Sequence, residues 1–447
     1  MKILFVSLGC DKNLVDTEEM LGIIKEQGHT ITNEEQEAEV IVINTCCFIH
    51  DAKEESIETI LEMAEYRTNG NCQALVVAGC LAERYREEIQ SEIPEVDAIV
   101  GVTAIDDIVG AIDEVLKGKK VSRFCNPDAL PKGADKRIVT TGGHYAYLKI
   151  AEGCDKHCTY CIIPKIRGNF RSVPMEKVLK QARQLVSDGI KELIVVAQET
   201  TTYGIDLDGE KSLHRLLREL CKIEELQWIR LMYCYPEEID DELITTIKEE
   251  PKICNYLDIP IQHASTDVLK RMGRRTSKEQ LVKVIRKLRQ EIPDIVLRTT
   301  LITGFPGETA EDFVEMMEFV DEMEFERLGV FTYSLEEDTP AAKMSEQISE
   351  EVKQERQAEI MELQQEISFE LDEKRIGQQL TVFIEGKVAD EEVYIGRTYA
   401  DAPNVDGYIF INTSKSLVSG DFVEAKVTAA LEYDLIGELI NEDEHTE

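Results

Sequence analysis

The chain has 447 residues, 43% hydrophobic and 31% charged, with a formal net charge of −38. That length exceeds one ordinary core and points to roughly two to four domains, and no apolar run reaches the roughly 20 residues that span a bilayer. So acidic a surface repels nucleic-acid phosphates and attracts basic partners, so direct nucleic-acid binding is not expected.

Residues 1–125 alternate strand and helix. KILFVSL reads as a buried strand; no small-residue cleavage site follows it, so a secretory signal is not expected and the chain reads as cytoplasmic. VDTEEMLGIIKEQG has helical spacing with Gly28 as its stop. EVIVIN is a second strand, KEESIETILEMAEY a second amphipathic helix and ALVVAG a third strand, which predicts a parallel sheet with right-handed crossovers. Residues 126–141, NPDALPKGADKRIVTT, read as a linker. Over 142–376 a second αβ series has strands in AYLKIAE, ELIVVAQ, WIRLMY, YLDIPI, IVLRTTLIT and RLGVFTYS. About six βα units predict a partial (β/α)6 barrel, ending in a charged helical stretch over 344–376. Beyond Gly377, LTVFIEGKV, YIGRTYA, GYIFIN and DFVEAKVTAAL with turns between them predict a small β-barrel over 377–443. The acidic end NEDEHTE is expected to fray.

Twelve cysteines in a chain read as cytoplasmic point to metal binding or catalysis before disulfides. Cys154, Cys158 and Cys161 lie in AEGCDKHCTYCIIPKIRG, and that spacing lets three thiolates face one site. Thiolates are the usual ligands of iron–sulfur clusters, and three of them leave one iron of a four-iron cluster open for chemistry. Zinc is the alternative: His157 could supply a fourth ligand, but it directly precedes Cys158, which makes convergence of both on one metal strained. CDKHCTYC resembles the C-x3-C-x-aromatic-C signature of radical S-adenosylmethionine enzymes. The resemblance implies a [4Fe–4S] cluster whose open iron chelates S-adenosylmethionine, cleavage of that cofactor to methionine and a 5′-deoxyadenosyl radical, and a partial (β/α)6 barrel. It also implies that Tyr160 lies against the adenine and that Gly304, in LITGFPGET, belongs to the ribose- and adenine-contacting segment. An ordinary βα turn is the other reading of Gly304. Gln198 and Glu199, at the end of ELIVVAQ, are candidates to bind the cofactor, although a strand-end polar group explains Gln198 as well. Arg298 is expected inside the barrel, against the cofactor carboxylate or paired with an acid.

Cys10, Cys46 and Cys80 each stand just past a predicted strand, in KILFVSLGC, VIVINTC and LVVAGC. Parallel strands put such ends on one edge, where open α/β sheets bind ligands. The pattern SLGC-x-KN, NTC and AGC resembles the N-terminal domain of the methylthiotransferases, which implies a second [4Fe–4S] cluster on these three cysteines. The small C-terminal barrel is then similar to a TRAM domain, and the resemblance covers essentially the whole chain. Cys47 departs from the pattern, where glycine often follows the NTC cysteine, and its thiol could compete with Cys46. Val173 replaces an arginine common at that position.

The family divides into transfer-RNA modifiers and a ribosomal-protein modifier. AYLKIAEGC, AQETTTYGIDL, YLDIPIQHAS, LRTTLITGFPGET, GVFTYSLEEDTPAA and DAPNVDG resemble the latter, which implies methylthiolation of an aspartate β-carbon on ribosomal protein S-twelve. Residues 377–447 hold four Lys or Arg against fifteen Asp or Glu, a net charge of −11. An RNA-gripping module should be basic, whereas this one suits a basic protein. The reading further implies two molecules of S-adenosylmethionine per turnover, an external electron donor such as a flavodoxin, two open irons facing one cavity, and a C-terminal barrel presenting the substrate over the barrel mouth. A transfer-RNA methylthiotransferase acting on a modified adenosine and a non-enzymatic metal scaffold are the rivals.

Overall fold

The computed structural model describes residues 1–440. The expected frayed end, and with it 441–443 of the expected C-terminal barrel, lies outside them.

The first body is a six-stranded parallel sheet of β1 (Lys2–Ser7), β2 (Thr30–Ile31), β3 (Val40–Thr45), β4 (Ala74–Gly79), β5 (Ala98–Val100) and β6 (Val121–Arg123), in the order β2-β1-β3-β4-β5-β6. β3 and β4 are buried along their whole length, because crossover helices cover both faces, which is why they read as unbroken apolar runs. The three strands read from the sequence are present. The other three are only two or three residues long, too short to carry a periodicity.

The second body is an open half-barrel. After β7 (Tyr145–Lys149), a short antiparallel ribbon of β8 (Ala151–Glu152) and β9 (Arg171–Ser172) interrupts the series. It resumes with β10 (Glu192–Val196), β11 (Trp228–Leu231), β12 (Ile253–Asp258), β13 (Val296–Thr303) and β14 (Arg327–Thr332), all parallel, in the order β14-β13-β12-β11-β10-β7. All six predicted βα strands are found. The helix Glu350–Glu373 packs back on the last two of them.

The third body is a closed barrel of β15 (Gln379–Lys387), β16 (Val393–Arg397), β17 (Ile409–Asn412), β18 (Phe422–Ala430) and β19 (Leu435–Leu439), in the order β15-β16-β17-β19-β18. It has one strand more than the sequence reading found, since LIGEL, with a central glycine, carries little strand signal.

The barrel's position corrects an expectation. It does not lie over the half-barrel's mouth but across the opposite, N-terminal ends of its strands. Trp228, which opens β11, meets Phe422 edge-on at 4.9 Å. Glu192, which opens β10, accepts from Arg230 at 2.8 Å and from Arg397 at 2.6 Å. Arg327, which opens β14, donates to Asp401 at 2.8 Å. The physical reason lies in the inward-facing arginines at the half-barrel's base. Each needs a buried anion, because an unpaired interior charge is strongly destabilising, and the DAPNVDG loop brings Asp401 and Asp406 to them. No helix among the described residues is long and apolar enough to cross a membrane.

Candidate functional site

The central cysteines sit on one loop at the C-terminal end of the half-barrel. Gly153 (φ +75) packs so tightly on the backbone of Gly168 and Asn169 that a Cβ there would collide with it. Cys154 N–H donates to Gly168 at 3.2 Å, Thr159 N–H to Met272 at 2.9 Å and Cys161 N–H to Cys158 at 3.0 Å. Cys154 and Cys158 are buried and Cys161 is partly so. The Cys161 sulfur accepts from Ile163 N–H at 3.4 Å, and the Cys158 sulfur lies 3.9 Å from the Tyr235 hydroxyl. Burial, with Cys158 acting in the same direction, pushes the Cys154 thiol up to about 11. His157 is exposed while Cys158 beside it is buried, so the fourth ligand that zinc would need is not brought in.

Cys10, Cys46 and Cys80 follow strands that are neighbours in the first sheet, with Ser7 level with Asn44 and Thr45 level with Gly79. Two glycines permit the close approach. A Cβ on Gly9 (φ +84) would meet Cβ of Cys46 at 2.6 Å and its sulfur at 2.9 Å, and one on Gly79 (φ +91) would strike the Asn44 side chain. Asn13 fastens the strand ends: its amide donates to Leu8 and Thr45 carbonyls at 2.9 Å each, and its own carbonyl accepts from Asn44 at 2.8 Å. Ser56 holds the Cys46 backbone through both N–H and C=O. Cys47 is fully buried in an apolar cluster with Leu4, Ile43, Ile60 and Leu81 that also includes Cys80. Burial pushes the Cys80 thiol up to about 12 even though Arg167 opposes it.

The sequence reading did not find the join between the two triads. Arg167 ends the short helix Ile163–Arg167 that leaves the central loop. Its guanidinium donates to the Cys80 sulfur at 3.5 Å, to Asn13 Oδ1 at 2.8 Å, to Asp16 at 2.8 Å and to both oxygens of Glu152 at 3.3 Å. Lys149 completes this buried group by pairing with Asp16 and Glu152. A second bridge runs through the loop after β11. Tyr235 faces Cys158, while the Tyr233 ring carries Lys12 Nζ 3.2 Å from its centre and its hydroxyl lies 3.4 Å from Asp11, next to Cys10. Those two tyrosines are two residues apart, so the span between the triads is on the order of 7 Å of backbone plus side chains. On the far side of the mouth, Arg84 ties the N-terminal body to Glu336 at 2.9 Å.

The residues expected at S-adenosylmethionine divide. Tyr160 lies in an aromatic group, its ring 6.5 Å from Phe305 and edge-on to it. Gln198 Nε2 donates weakly to Glu152 at 3.4 Å. Glu199 is buried and its Oε1 accepts from Thr201 N–H at 2.7 Å. Gln198 Oε1 and Glu199 Oε2 are both buried with no hydrogen-bond partner, Lys156 Nζ standing 4.0 Å from the latter, and burial pushes the Glu199 carboxyl up. Gly304 (φ +71) opens the expected turn and its N–H donates to Glu308 at 2.8 Å, but what demands glycine there is the Lys353 side chain packed where a Cβ would stand. Arg298 takes the second of its two expected roles, pairing with an acid rather than lying free for the cofactor: it meets Asp258 at 2.9 Å and Asp406 at 3.3 Å, at the joint with the C-terminal barrel.

Among the described residues, no three His, Cys, Asp or Glu side chains gather closely enough for a single metal ion. A four-iron cluster makes a different demand. Its iron–sulfur body holds the three thiolates wider apart than one ion would, and all three must shed their protons on binding. Two groups of cysteines, one on a loop pinned by backbone bonds and one at strand ends pinned by side chains, fit that demand. The acceptors on Gln198 and Glu199 fit the N–H donors of an amino-acid cofactor.

Three family models match the chain: the radical SAM superfamily over 148–320, the uncharacterized protein family UPF0004 over 2–101 and the TRAM domain over 376–440. The chain is 63% identical to the ribosomal protein uS12 methylthiotransferase RimO of Lachnoclostridium phytofermentans, across 98% of this chain and 99% of that one. It is 50% identical to the RimO of Alkaliphilus oremlandii, across 99% and 100%. Among solved structures, the radical S-adenosylmethionine methyltransferase TsrM of Kitasatospora setae, with cobalamin and a [4Fe-4S] cluster bound, aligns with a TM-score of 0.53 at 13% identity, covering 87% of this chain and 81% of that one. The cobalamin-dependent radical enzyme OxsB aligns with a TM-score of 0.50 at 15% identity, covering 76% and 54%. These structures show the fold, and the full-length identity shows the family: the chain belongs to the uS12 methylthiotransferases of the radical S-adenosylmethionine superfamily, enzymes that use [4Fe-4S] clusters and S-adenosylmethionine.

Proposed function

We propose that this chain transfers a methylthio group to the β-carbon of an aspartate of ribosomal protein uS12, with one [4Fe–4S] cluster on Cys154, Cys158 and Cys161 and a second on Cys10, Cys46 and Cys80. Residues 1–125 carry the second cluster, 126–141 link, 142–376 carry the first and 377–443 form the TRAM-like barrel. The observation that carries this reading is the join itself: Arg167 reaches from the central loop to Cys80, and Tyr233 and Tyr235 reach one triad each.

An aspartate β C–H bond is too weakly acidic for an ordinary side-chain base, so a hydrogen-abstracting radical is required. When bound, the clusters supply the electron that cleaves S-adenosylmethionine and the sulfur that is delivered. The protein's own groups do the rest. Tyr160, backed by the buried Phe305, offers an aromatic face for the adenine. Glu199 Oε2 and Gln198 Oε1 would accept N–H bonds from the amino group of the methionine moiety, with Lys156 the cation beside Glu199. The partly buried Tyr233 and Tyr235 and α1 (Asp11–Glu26) line the space between the triads. Cys46, rather than Cys47, is the ligand in this reading, since it is the Cys46 sulfur that lies against the Gly9 turn beside Cys10. The acidic surface favours a basic ribosomal partner at or near the small subunit, in the cytoplasm, with a flavodoxin-type donor supplying electrons.

The test is mass spectrometry of uS12 from cells with and without this gene. One methylthio group on one aspartate, present only with the gene, is the expected result. Unmodified uS12 together with a methylthiolated transfer RNA would overturn the reading.

A further inference from the structure

The Arg167 guanidinium sits at the centre of a charge-balanced group. Arg167 and Lys149 face Asp16 and Glu152, all four buried or nearly so. The next charges out have opposite charges of their own beside them: Arg171 lies 3.9 Å from Asp128, and Glu83 pairs with Arg86 at 3.0 Å. Of the four, only Arg167 touches a sulfur: its Nη2 donates to Cys80 at 3.5 Å and to Asn13, the clamp of that site, at 2.8 Å. Arg167 comes from the chain that carries Cys161, six residues earlier, so an N–H on one triad's ligand is delivered by the loop of the other.

We propose that Arg167 is a positioning residue that sets the reduction potential of the cluster on Cys10, Cys46 and Cys80 by donating to the Cys80 sulfur from within a neutral ion quartet. The proposal rests on the two-cluster reading above. Hydrogen bonds to cluster sulfurs and nearby net charge are principal determinants of such potentials. An N–H on a thiolate, like any added positive charge, favours the reduced cluster, which carries one more electron. In a low-dielectric interior these effects are weakly screened. The neutral quartet matters because it fixes the sign of each change. Removing Arg167 takes away the hydrogen bond and leaves the group one negative charge in excess, so the potential falls. Neutralising Asp16 leaves it one positive charge in excess, so the potential rises.

The experiment is a potentiometric titration of the full-length, anaerobically reconstituted protein, followed by electron paramagnetic resonance. The N-terminal cluster's transition is identified as the one that survives in a Cys154→Ala, Cys158→Ala, Cys161→Ala variant. Arg167→Gln should lower that midpoint enough to change the ratio of reduced to oxidised cluster at least tenfold at a fixed solution potential, about 59 mV for one electron. Asp16→Asn should shift it the other way, and Arg167→Lys should fall between wild type and Arg167→Gln. The central cluster's midpoint should move less in each. If Arg167→Gln does not fold, the upward shift in Asp16→Asn and the partial fall in Arg167→Lys still decide the matter. Midpoints that stay put, or that move the same way in Arg167→Gln and Asp16→Asn, would overturn the proposal while leaving the two-cluster reading intact. A wild-type protein with about four irons and one transition would instead defeat the two-cluster reading, and this inference with it.

Discussion

Cys154, Cys158 and Cys161 come from eight consecutive residues, whereas Cys10, Cys46 and Cys80 come from three strand ends spread over seventy-one. The first triad needs little more than its own loop, a left-handed glycine at its entry and backbone bonds to Gly168 and Met272. The second exists only when β1, β3 and β4 align in register, because no pair of its cysteines is close along the chain. The contrast teaches that one site is encoded locally and the other by the fold. Its supports differ accordingly: backbone for the first, and for the second the interlocked side chains of Asn13, Asn44, Ser56 and Arg167.

The contrast can be broken most forcefully at the cysteines. Replacing Cys10, Cys46 and Cys80 by alanine should leave reductive formation of 5′-deoxyadenosine in place but abolish methylthiolation, whereas replacing the central three should abolish both; chromatography of the nucleoside and mass spectrometry of uS12 read the two outcomes. Next is the half-barrel's base, which should matter to both triads equally. Glu192→Gln takes from Arg230 the acid it pairs with and from Arg397 one of two, the other being Glu385, and should cost about 3–5 kcal/mol in denaturant unfolding, without selective iron loss from either site. The same carboxylate predicts an acid limb. Burial pushes the Glu192 carboxyl up, but Arg397 and Arg230 outweigh it and hold it below the ordinary carboxylate range. Its contribution to stability is therefore complete above about pH 4.3, the value for an unfolded glutamate, and lost as pH falls through the lower folded value. The unfolding midpoint of Glu192→Gln should thus fall less steeply than wild type below about pH 4.

A backbone change sharpens the comparison further. Gly79→Ala places a Cβ in a left-handed conformation against Asn44 and Thr45. It should cost about 1–3 kcal/mol or more and release iron from the N-terminal site alone. The smallest effect is expected from Cys47→Ala. Its thiol fills core space away from Cys10, so the variant should lose about 1 kcal/mol and keep both its iron and its activity. Iron loss there would reassign the ligand from Cys46.

Much of this architecture was legible in the sequence. Strands buried on both faces are short apolar runs, and the residue just past each is fixed once the strands are known to be parallel, so both triads could be named before any coordinates. What escaped was the set of contacts between bodies. Arg167, Asp16, Lys149 and Glu152 belong to four separate elements, and a buried ion quartet among them leaves no periodic mark on any one. The nearest signal was a basic residue closing a very short helix six positions after Cys161. Arg298 shows the same limit from the other side. Its inward direction was readable from strand alternation, but whether it met a cofactor or an acid depended on Asp406, over one hundred residues later. The placement of the C-terminal barrel at the base followed from those same pairings and so was equally hidden.

The central claim is that two independent cysteine triads each hold a four-iron cluster, and iron analysis of anaerobically reconstituted protein tests it most directly. About eight irons per chain are predicted for wild type, and about four for each alanine triple variant, whichever triad is removed. About four in wild type, or loss of all iron from a folded triple variant, would contradict it.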